Sequence, residues 1–584
     1  MSVLNRRSLI LGSLSAAPAL AMGRMGEGVL QAASGPTLRV RPNIETLSKS
    51  PRRLDSFMRG INAMMDLSRV NPTHPYSWTF QANNHGRTFF CGDLYELAAD
   101  PTADKIYRIF ADNVTYTPPV NVYSQCTHNN WWFVAWHRAY LYYFERIVRH
   151  LADDPTLSIP YWQYSKPSQR DMPEIYRQED YGGGVNPLHI PDTIPYMVNG
   201  TSAKYPGRNP DLNSGELALS ASISNTNCVL KIPFYTDSKQ AVDTFGGKIT
   251  TSTLKNSGKH SALENIPHNT IHGAIGGTFK PSPIEAQNCV VPTGFSKDNL
   301  ETGFMGSVPK AARDPIFYLH HANADRLWQV WIGLGQGRQS PINPQNQADQ
   351  MWLNQVFNFY DVGTDGEPVA VQITPQQLLR TGQLGYTYQD VGAPSADEYY
   401  MPSDGFIAPI SNSESILLGA RLSGPGMMNS SIPVSNAKPT NVPMALEPKR
   451  WSFLTKPRAR LQLTLGLNLA DEANVYYEIY INPRNQSDLR HTSRYFAGQF
   501  SLFSAPMVMP GHMAMNDMEM VLTLNRRIQN AILKNQIDRT SLKVVLVPRT
   551  GAVDQNMLDG PVGTIGAAGE FALSVTASKL EILF

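Results

Sequence analysis

The chain has 584 residues and carries 50 lysines and arginines against 48 aspartates and glutamates, a formal net charge of +2. This length is enough for a large hydrophobic core and for more than one domain. The nearly balanced charge gives no indication of a nucleic-acid partner, because proteins that bind nucleic acid usually concentrate positive charge.

The first 34 residues are interpreted as a twin-arginine export signal with a short segment after it. Arg6 and Arg7 precede a short apolar run from Leu9 to Leu20, and an A-x-A pattern ends at Ala21. The run is too short and its residues are too small for a membrane span. An ordinary Sec signal or an amphipathic start is the alternative. We therefore predict an exported protein, periplasmic or secreted, whose mature chain does not enter a membrane.

Residues 35–394 are predicted to form a mainly α-helical catalytic domain. Apolar residues recur with helical spacing over 50–70, which predicts a first long helix. The stretch PYSWTFQANNHG, residues 75–86, is predicted to approach His85 as a loop. That histidine is the first candidate ligand in the chain.

Two further histidines, His128 and His137, follow on either side of a helix start. They are nine residues apart, which is two and a half helical turns, so they would point in opposite directions if both were helical. We therefore predict that His128 enters from a loop and that His137 lies on a helix over residues 135–151. Arg138 and Glu145 share a face of that helix and are predicted to form an internal ion pair.

A second group of histidines follows a region, residues 165–260, that is rich in Pro, Gly, Asn and Ser. We interpret that region as long surface loops that shape a substrate entrance. His268 and His272 are four apart, which on a helix stacks both imidazoles on one face. This spacing alone is more typical of two ordinary histidines than of a metal site, but His320 and His321 supply further imidazoles.

Two groups of imidazoles without a set of thiolates suit a pair of transition ions, each with one position left open. Two coppers that share dioxygen fit this description. Hydrolytic zinc sites usually add a carboxylate ligand, and the HExxH pattern is absent from the sequence.

The histidine motifs resemble those of the type-3 copper proteins, the family of tyrosinases, catechol oxidases and haemocyanins. The resemblance lies in CTHNNWWFVAWHRAYLYYFERI (126–147), ENIPHNTIHG (264–273) and DPIFYLHHANADRLW (314–328). It implies a four-helix bundle that holds two copper ions, with dioxygen as co-substrate. It further implies that copper A is bound by His85, His128 and His137, that copper B is bound by His268, His272 and His321, and that the groups behind these ligands are His320, Asn323, Asp325 and Arg138.

The chain has four cysteines, Cys91, Cys126, Cys228 and Cys289. Fungal tyrosinases and molluscan haemocyanins carry a covalent thioether at the C-x-H spacing that Cys126 shares with His128. The resemblance implies the same bond here, and a free buried thiol is the alternative. Cys228 and Cys289 are a candidate disulfide in an oxidising compartment.

Three further residues bear on the choice of reaction. The resemblance implies that Glu264 holds a water near copper and that Glu264 and Asn269 together deprotonate monophenols. The alternative is that Glu264 only caps the start of a helix. Val308 stands where plant catechol oxidases have a bulky phenylalanine, so a more open site is expected. These residues favour a tyrosinase over a strict catechol oxidase.

The remainder of the chain is predicted to form a linker and a second domain. The pair Tyr386 and Tyr388 resembles the Y-x-Y motif that closes the catalytic domain of plant and fungal polyphenol oxidases. Residues 395–445 are interpreted as a linker because they are rich in Pro, Ser and Gly. Alternating runs over 446–584 predict an antiparallel β-sandwich. Its resemblance to the C-terminal domain of plant polyphenol oxidases implies a shield over the copper site.

One stretch of the second domain, residues 507–520, is unusually rich in methionine. Thioethers are soft ligands that favour Cu(I), so this stretch is a candidate copper-holding loop. The alternative is a pliable apolar cap or filler.

The sequence predicts a tyrosinase that hydroxylates small monophenols and oxidises o-diphenols to o-quinones. The alternatives are a catechol oxidase without the first step and, less favoured, a haemocyanin-like dioxygen-binding protein. No organic cofactor, nucleic acid or membrane partner is expected. The natural phenol, its use in melanin formation or detoxification, and assembly into a homo-oligomer stay open.

Overall fold

The computed structural model describes residues 38–89, 116–123, 125–198, 201–236, 244–251, 260–277, 296–297, 302–392, 415–421, 432–434, 440–446, 448–455, 459–469, 476–503, 518–524, 526–538, 541–549, 551–554 and 573–583. The export signal predicted for residues 1–34 lies outside the described residues, as does the methionine-rich stretch up to residue 517. Cys91, Cys289 and the side chain of Cys228 also lie outside them. Within the described part of the chain, none of the helices combines the length and apolar character needed to cross a membrane.

Helices dominate the first domain. They are α1 (Ile44–Ser48), α2 (Pro51–Val70), α3 (Trp78–His85), α4 (Phe133–Leu151), α5 (Glu174–Arg177), α6 (Pro210–Ser214), α7 (Ala221–Ser224), α8 (Asn227–Leu230), α9 (Thr270–Gly276), α10 (Val308–Ala311), α11 (Ile316–Gly333), α12 (Gln347–Leu353) and α13 (Pro375–Leu378). The strands are short and pair in twos: β1 (Arg39–Arg41) with β11 (Tyr386–Tyr388), β2 (Thr88–Phe89) with β8 (Ser296–Lys297), β3 (Asp180–Tyr181) with β4 (Gly184–Val185), β5 (Thr193–Val198) with β6 (Thr201–Pro206), and β9 (Phe357–Val362) with β10 (Pro368–Ile373).

The long helices enclose the core of the first domain. Helix α2 begins with Pro51, which suits the first helical position because that N–H would lack a partner in any case. Its apolar face, including Phe57 and Ile61, is buried. Helix α2 packs against α3 and α4, and α4 packs against α11. Helices α4 and α11 are buried on most sides, so the histidines they carry face the interior of the domain.

The approach to His85 is a helix, so the loop predicted over 75–86 is wrong for most of that stretch. Ser77 caps helix α3, because its side-chain oxygen accepts a hydrogen bond from the Phe80 N–H at 3.1 Å. All eight residues of the helix are buried. A helix buried on every side has no polar face, so its sequence lacks the amphipathic period that would have revealed it.

A buried ionic network fastens helices α4 and α11 to strand β11. The hydroxyls of Tyr386 and Tyr388 donate to Asp325 Oδ2 at 2.7 and 2.6 Å. Arg138 Nε donates to Asp325 Oδ1 at 2.5 Å, and Arg41 Nη1 to Asp325 Oδ2 at 3.3 Å. Burial by itself would raise the pKa of Asp325, but Arg138 and Arg41 hold it below its usual value. The network therefore fixes how the two helices are rotated.

The predicted ion pair between Arg138 and Glu145 is wrong. Arg138 pairs with Asp325, whereas Glu145 pairs with Arg41 Nε at 2.7 Å and with Arg149 Nη2 at 2.5 Å. Seven residues of helix separate two side chains by about 10 Å along the axis, which is too far for direct contact. Each charge instead finds a closer partner on a neighbouring element or one turn away.

In the described part of residues 165–260, irregular segments alternate with short helices and strands, so the region is less loop-like than the composition predicts. The regular structure in the described part of this region consists of short helices, of which α5 to α8 have four or five residues each, and of two-stranded pairs. Strand β7 (Leu217–Leu219) is an exception, because its partner belongs to the second domain.

The second domain is built around one antiparallel sheet. Its described strands are β12 (Ser415–Arg421), β13 (Ile432–Val434), β14 (Thr440–Leu446), β15 (Arg460–Leu469), β16 (Tyr476–Ile481), β17 (Phe496–Ser501), β18 (Met518–Thr523), β19 (Ser541–Arg549) and β21 (Leu573–Leu583), with helix α14 (Arg526–Leu533) beside them. They pair in the order β17-β16-β19-β14-β12-β21-β15-β18, and β13 pairs with β21. Leu461, Leu463, Leu465 and Leu467 are fully buried, in keeping with the alternating pattern of strand β15.

The predicted sandwich of two sheets differs from this arrangement. Strand β21 is long enough to pair with β12, β13 and β15, so the hydrogen bonding continues where a sandwich would be interrupted. The edge strands β17 and β18 contact each other, which shows that the sheet curls around its core. Register shifts in β15 and β12 accompany this curl, as is usual for β-bulges.

The boundary of the second domain also differs from the predicted one. Strands β12 and β13 and all but the last residue of β14 lie within 395–445, the stretch interpreted as a linker, yet they belong to the sheet. Pro, Ser and Gly between these strands concealed them, because the composition of a loop-rich β region is similar to that of a linker.

A small two-stranded ladder joins the two domains. Strand β20 (Ala552–Asp554) runs antiparallel to β7, with Ala552 opposite Leu219 and Asp554 opposite Leu217. Next to the ladder, the Ser220 N–H donates to the Gly551 carbonyl at 2.9 Å. Main-chain hydrogen bonds therefore hold the second domain against the loops of the first.

Candidate metal centre

His85 is the last residue of helix α3 and lies 1% exposed in the interior. Its Nδ1 is 2.9 Å from the carbonyl oxygen of Val308, at the start of helix α10. A carbonyl only accepts, so Nδ1 carries the proton and Nε2 carries the lone pair. Nε2 is buried and has no hydrogen-bond partner. Val308 thus lies beside the first histidine group, where an open entrance is predicted.

His128 and His137 complete this first group. His128 lies in the irregular segment before helix α4, and His137 lies on the helix. His137 Nδ1 is 2.8 Å from the Phe133 carbonyl, so its Nε2 is also free of hydrogen. The Cys126 sulfur is 3.5 Å from His128 Nδ1 and 3.6 Å from His137 Nε2. The cysteine therefore touches both rings.

His268 and His272 are brought together by a distorted turn and a short helix. The turn covers Glu264–Asn269 and contains one extended residue, Ile266, after which helix α9 begins. Ile266 precedes both histidines, and the backbone is helical from His268 to His272. The two imidazoles therefore share a helical stretch, as expected, and their ring centres are 4.5 Å apart. His272 Nδ1 is 2.9 Å from the Met305 carbonyl, which again places the proton on Nδ1.

His321, on helix α11, completes the second group. Its Nε2 lies 3.2 Å from His268 Nε2 and 3.1 Å from His272 Nε2. His320 belongs to the same cluster, because one of its nitrogens lies within 4.8 Å of the ligand atoms of the other three. Its ring is tilted by 21° over His268 at 5.2 Å, and neither of its nitrogens has a hydrogen-bond partner. The three Nε2 atoms of His268, His272 and His321 therefore meet at one point.

The two groups lie side by side. The rings of His137 and His321 are stacked at 4.5 Å with an angle of 15° between them, and those of His128 and His268 are 6.2 Å apart. Burial lowers the pKa of His85 to about 3 and is also the largest cause of the lowered pKa of the other five. Neutral imidazoles with converging lone pairs are the form in which histidine binds a metal ion, so the site fits two such ions.

Glu264 lies fully buried between the two groups. Its Oε1 accepts the Asn129 N–H at 2.7 Å, while its Oε2 is buried without a hydrogen-bond partner. Asn129 has φ of 55°, a left-handed conformation that asparagine tolerates better than most residues and that turns its N–H toward the carboxylate. The carboxylate thus binds the loop of His128, and it also interacts with the Ser261 N–H at the start of its own turn. Burial raises the pKa of Glu264 to about 8.

Asn269 and His260 form a chain of hydrogen bonds behind His268. Asn269 Oδ1 is 2.8 Å from His268 Nδ1, and Asn269 Nδ2 is 3.1 Å from His260 Nδ1. No role for His260 was predicted from the sequence. The one signal in the sequence was its position four residues before Glu264, a spacing that brings two side chains together on a helix. In the structure these two side chains are 4.0 Å apart.

The second domain inserts one aromatic side chain into the centre. Phe503 follows strand β17, and its ring stacks on His272 at 4.1 Å with an angle of 10°. It is also 6.0 Å from His268 and is only 2% exposed. No motif in the sequence marks Phe503, because only the docking of the two domains brings it to the histidines.

Strand β17 is held in this position by amide side chains. Asn265, next to Glu264 in the chain, accepts the Ser501 N–H at 3.2 Å and donates to the Gln499 carbonyl at 3.4 Å. Gln499 Nε2 in turn donates to the Ser222 carbonyl at 3.0 Å. The turn that carries His268 is thereby fastened directly to the second domain.

The remaining groups expected behind the ligands are buried side chains of helices α4 and α11. Arg138 and Asp325 belong to the ionic network described above, and Arg138 also lies 3.8 Å over the ring of Trp328. Asn323 Oδ1 accepts from Arg326 Nη1 at 3.2 Å. These side chains fix the helices that carry the histidines.

The sequence is similar to known protein families and to individual curated proteins. Residues 75–334 match the common central domain of tyrosinase, and residues 346–398 match the polyphenol oxidase middle domain. A chloroplastic polyphenol oxidase of Vitis vinifera is 27% identical over 541 residues, with 89% of this chain and 74% of that protein covered. The chloroplastic (+)-larreatricin hydroxylase of Larrea tridentata is 28% identical over 360 residues, which cover 61% of this chain and only 50% of that protein.

The fold is shared with solved structures. Latent apple tyrosinase superposes with a TM-score of 0.52 at 21% identity, covering 95% of this chain and 99% of that chain. A latent aurone synthase, described as a polyphenol oxidase, gives a TM-score of 0.54 at 19% identity and covers 95% of this chain and 91% of that one. The two matched family segments span more than half of the sequence and contain all six candidate ligands, so this chain belongs to the tyrosinase and polyphenol oxidase family of copper oxidoreductases.

Proposed function

We propose that the protein is a tyrosinase, which hydroxylates monophenols at the ortho position and oxidises o-diphenols to o-quinones. The observation that supports this proposal is Glu264, a carboxylate buried beside the histidines with one oxygen free of hydrogen bonds. A monophenol must lose its hydroxyl proton before it can be hydroxylated. Glu264 is the carboxylate at the centre that can take this proton, directly or through a water.

The six histidines would hold the two copper ions that the family uses. His85, His128 and His137 would bind one ion, and His268, His272 and His321 the other. A copper pair supplies the exchange of electrons between dioxygen and the phenol. Each o-diphenol gives up two electrons and two protons as it becomes an o-quinone. Val308 is proposed to leave the entrance beside the first ion open for small phenols.

Replacing Glu264 by glutamine tests the proposed base. The amide Oε1 can still accept the Asn129 N–H, so the loop of His128 stays in place, but the amide cannot accept a proton. We expect oxygen consumption with a simple monophenol to fall about 10²- to 10⁴-fold, the usual contribution of a general base. Oxidation of the matching o-diphenol should stay within about threefold, because diphenols do not depend on this step.

The pH profile gives the sign of the same effect. The pKa of Glu264 is raised to about 8, so the carboxyl is mostly protonated below that pH and ionised above it. Monophenol turnover should therefore rise as the pH increases through about 8 in the native protein and should be flat there in E264Q. An equal loss of both activities in E264Q would instead make Glu264 a purely structural residue.

A catechol oxidase without monophenol activity is the second candidate, and one observation favours it. The raised pKa leaves the Glu264 carboxyl uncharged at neutral pH, and its Oε1 already accepts the Asn129 N–H. If the native protein oxidises the o-diphenol at every pH and never the monophenol, this candidate replaces the tyrosinase.

A thioether between Cys126 and His128 is also proposed, supported by the contact of the sulfur with the imidazole. The thiol and a ring carbon would each give up one hydrogen, and the two electrons would pass to dioxygen. We expect the peptides that contain the two residues to be lighter by two hydrogen atoms after copper loading in air. The C126S variant should keep both hydrogens, and an unchanged mass of the native peptide would mean a free thiol.

The arrangement of the domains suggests two further assignments. The helices that carry His85, His137, His272 and His321 are proposed to form the four-helix bundle of the family. The second domain is proposed to keep the enzyme latent, because Phe503 occupies the space against His272 where a phenol ring would stack. The related plant proteins are named chloroplastic. For this chain we propose export through its twin-arginine segment, and small phenols as its substrates.

A further inference from the structure

His260 is a buried imidazole that lies outside both histidine groups. Its side chain is 2% exposed, and its Nδ1 is 3.1 Å from Asn269 Nδ2. Burial lowers its pKa to about 4, so the ring is neutral at physiological pH. A neutral imidazole has one nitrogen that accepts and one that donates, so the direction of each hydrogen bond assigns its tautomer.

The direction of the chain follows from the chemistry of the amide. The oxygen of Asn269 only accepts, so His268 Nδ1, at 2.8 Å from it, must carry a proton. The lone pair of His268 is then on Nε2, which points toward the other ligands. The nitrogen of Asn269 only donates, so His260 Nδ1 must be free of hydrogen.

A flipped amide would reverse these assignments. Rotation of the Asn269 amide by half a turn would present N–H groups to His268 Nδ1, which would then have to accept. The proton of His268 would move to Nε2, where it would block binding of an ion. The amide orientation therefore decides whether His268 can be a ligand.

His268 differs in this respect from three of the other ligands. His85, His137 and His272 each face a main-chain carbonyl, which has no donor to offer in any orientation. His268 faces a side-chain amide, whose two ends have opposite roles. A second contact is needed to hold that amide, and His260 supplies it.

We infer that His260 is a positioning residue, which fixes the amide of Asn269 and thereby keeps His268 in the tautomer that binds the second copper. The inference rests on the proposed ligation by His268, but not on the choice between tyrosinase and catechol oxidase. Groups behind a ligand typically change metal affinity by about 10- to 100-fold when they are removed.

The test is the affinity of each copper ion, measured on the full chain by competition with a chelator. His260→Leu removes the acceptor, and we expect it to weaken the second copper about 10- to 100-fold while the first is unchanged. His260→Asn places an oxygen where Nδ1 was and should restore the affinity to within about threefold. His491→Leu removes a buried imidazole from the second domain, and neither copper should respond.

A second comparison separates positioning from packing. In the Asn269→Asp variant both side-chain oxygens can accept, so the carboxylate has no wrong orientation. Adding His260→Leu to this variant should therefore change the affinity for the second copper less than about twofold. A metal-free melting curve close to that of the native chain shows that H260L is folded. If it is not folded, His260→Gln replaces it, because its oxygen lies one bond too far to accept.

Three results would overturn the inference. The first is native affinity for the second copper in H260L or its glutamine substitute. The second is an equal loss of that affinity in H260L and H260N. The third is a loss of affinity on adding His260→Leu that is as large in the Asn269→Asp background as in the native chain. A native chain that binds both ions and oxidises no monophenol would refute only the tyrosinase proposal. A native chain that binds a single ion would refute the ligation on which the inference rests.

Discussion

Replacing His321 by alanine is expected to remove the second copper and nearly all turnover. The Nε2 of His321 meets those of His268 and His272 at 3.2 and 3.1 Å, so its loss leaves two ligands where three converge. We expect the copper content after dialysis to fall from two ions per chain to about one. The rate of o-diphenol oxidation should fall more than about 100-fold, because a change to a group behind a ligand can already cost that much and His321 is itself a ligand.

The neighbouring His320→Ala is the matched control. His320 has the same burial and the adjacent position on helix α11, and one of its nitrogens lies within 4.8 Å of the other ligand atoms. Its ring stacks over His268, however, and the contacts of 3.1–3.2 Å with His268 and His272 are made by His321. We expect H320A to keep two coppers per chain and a turnover within about tenfold of the native value. The opposite result, with copper lost in H320A and kept in H321A, would exchange the roles of the two histidines.

Replacing Phe503 by alanine is expected to raise the turnover of small phenols by the full-length chain. The phenylalanine ring stacks on His272 and fills the space in front of it. Aromatic stacking contributes about 0.5–1.5 kcal/mol beyond burial, so its removal should increase initial rates about 2- to 10-fold before any proteolysis. The measurement is quinone formation from an o-diphenol.

The control for this variant is Phe496→Ala, at the other end of strand β17. Phe496 is half-buried and packs on Tyr480 within the second domain, away from the histidines. Loss of domain stability would raise the rate in both variants, whereas an uncovered site would raise it only in F503A. An F503A rate no higher than that of the native chain would exclude the ring as the obstacle.

The resemblance of the histidine motifs to a known family predicted the six ligands, and local geometry predicted only how some of them are presented. A loop followed by a helix separates His128 from His137, and four residues separate His268 from His272. These relations are present in the sequence itself. The structure brings all six together, and it places His320 in the second cluster beside His321.

Other features depended on partners that are distant in sequence. Arg138 shares a helix face with Glu145 but is too far from it along the axis, and it binds Asp325 because the packing of α4 against α11 brings that carboxylate close. Helix α3 has no amphipathic pattern, since it is buried on all sides. Phe503 and His260 acquire their roles only from tertiary contacts, so no motif could identify them.

The ladder between β7 and β20 determines how the second domain can dissociate from the first. Its bonds, like those of Asn265 and Gln499, join uncharged groups. Dissolved ions weaken attraction between charges but have little effect on bonds of this kind. Cutting the connection before Ser415 would also leave the ladder intact, so a nicked chain can remain closed. The rate at which the second domain is released would then be set by local opening of the strands. Agents that solvate peptide groups, such as urea, would raise this rate far more than salt.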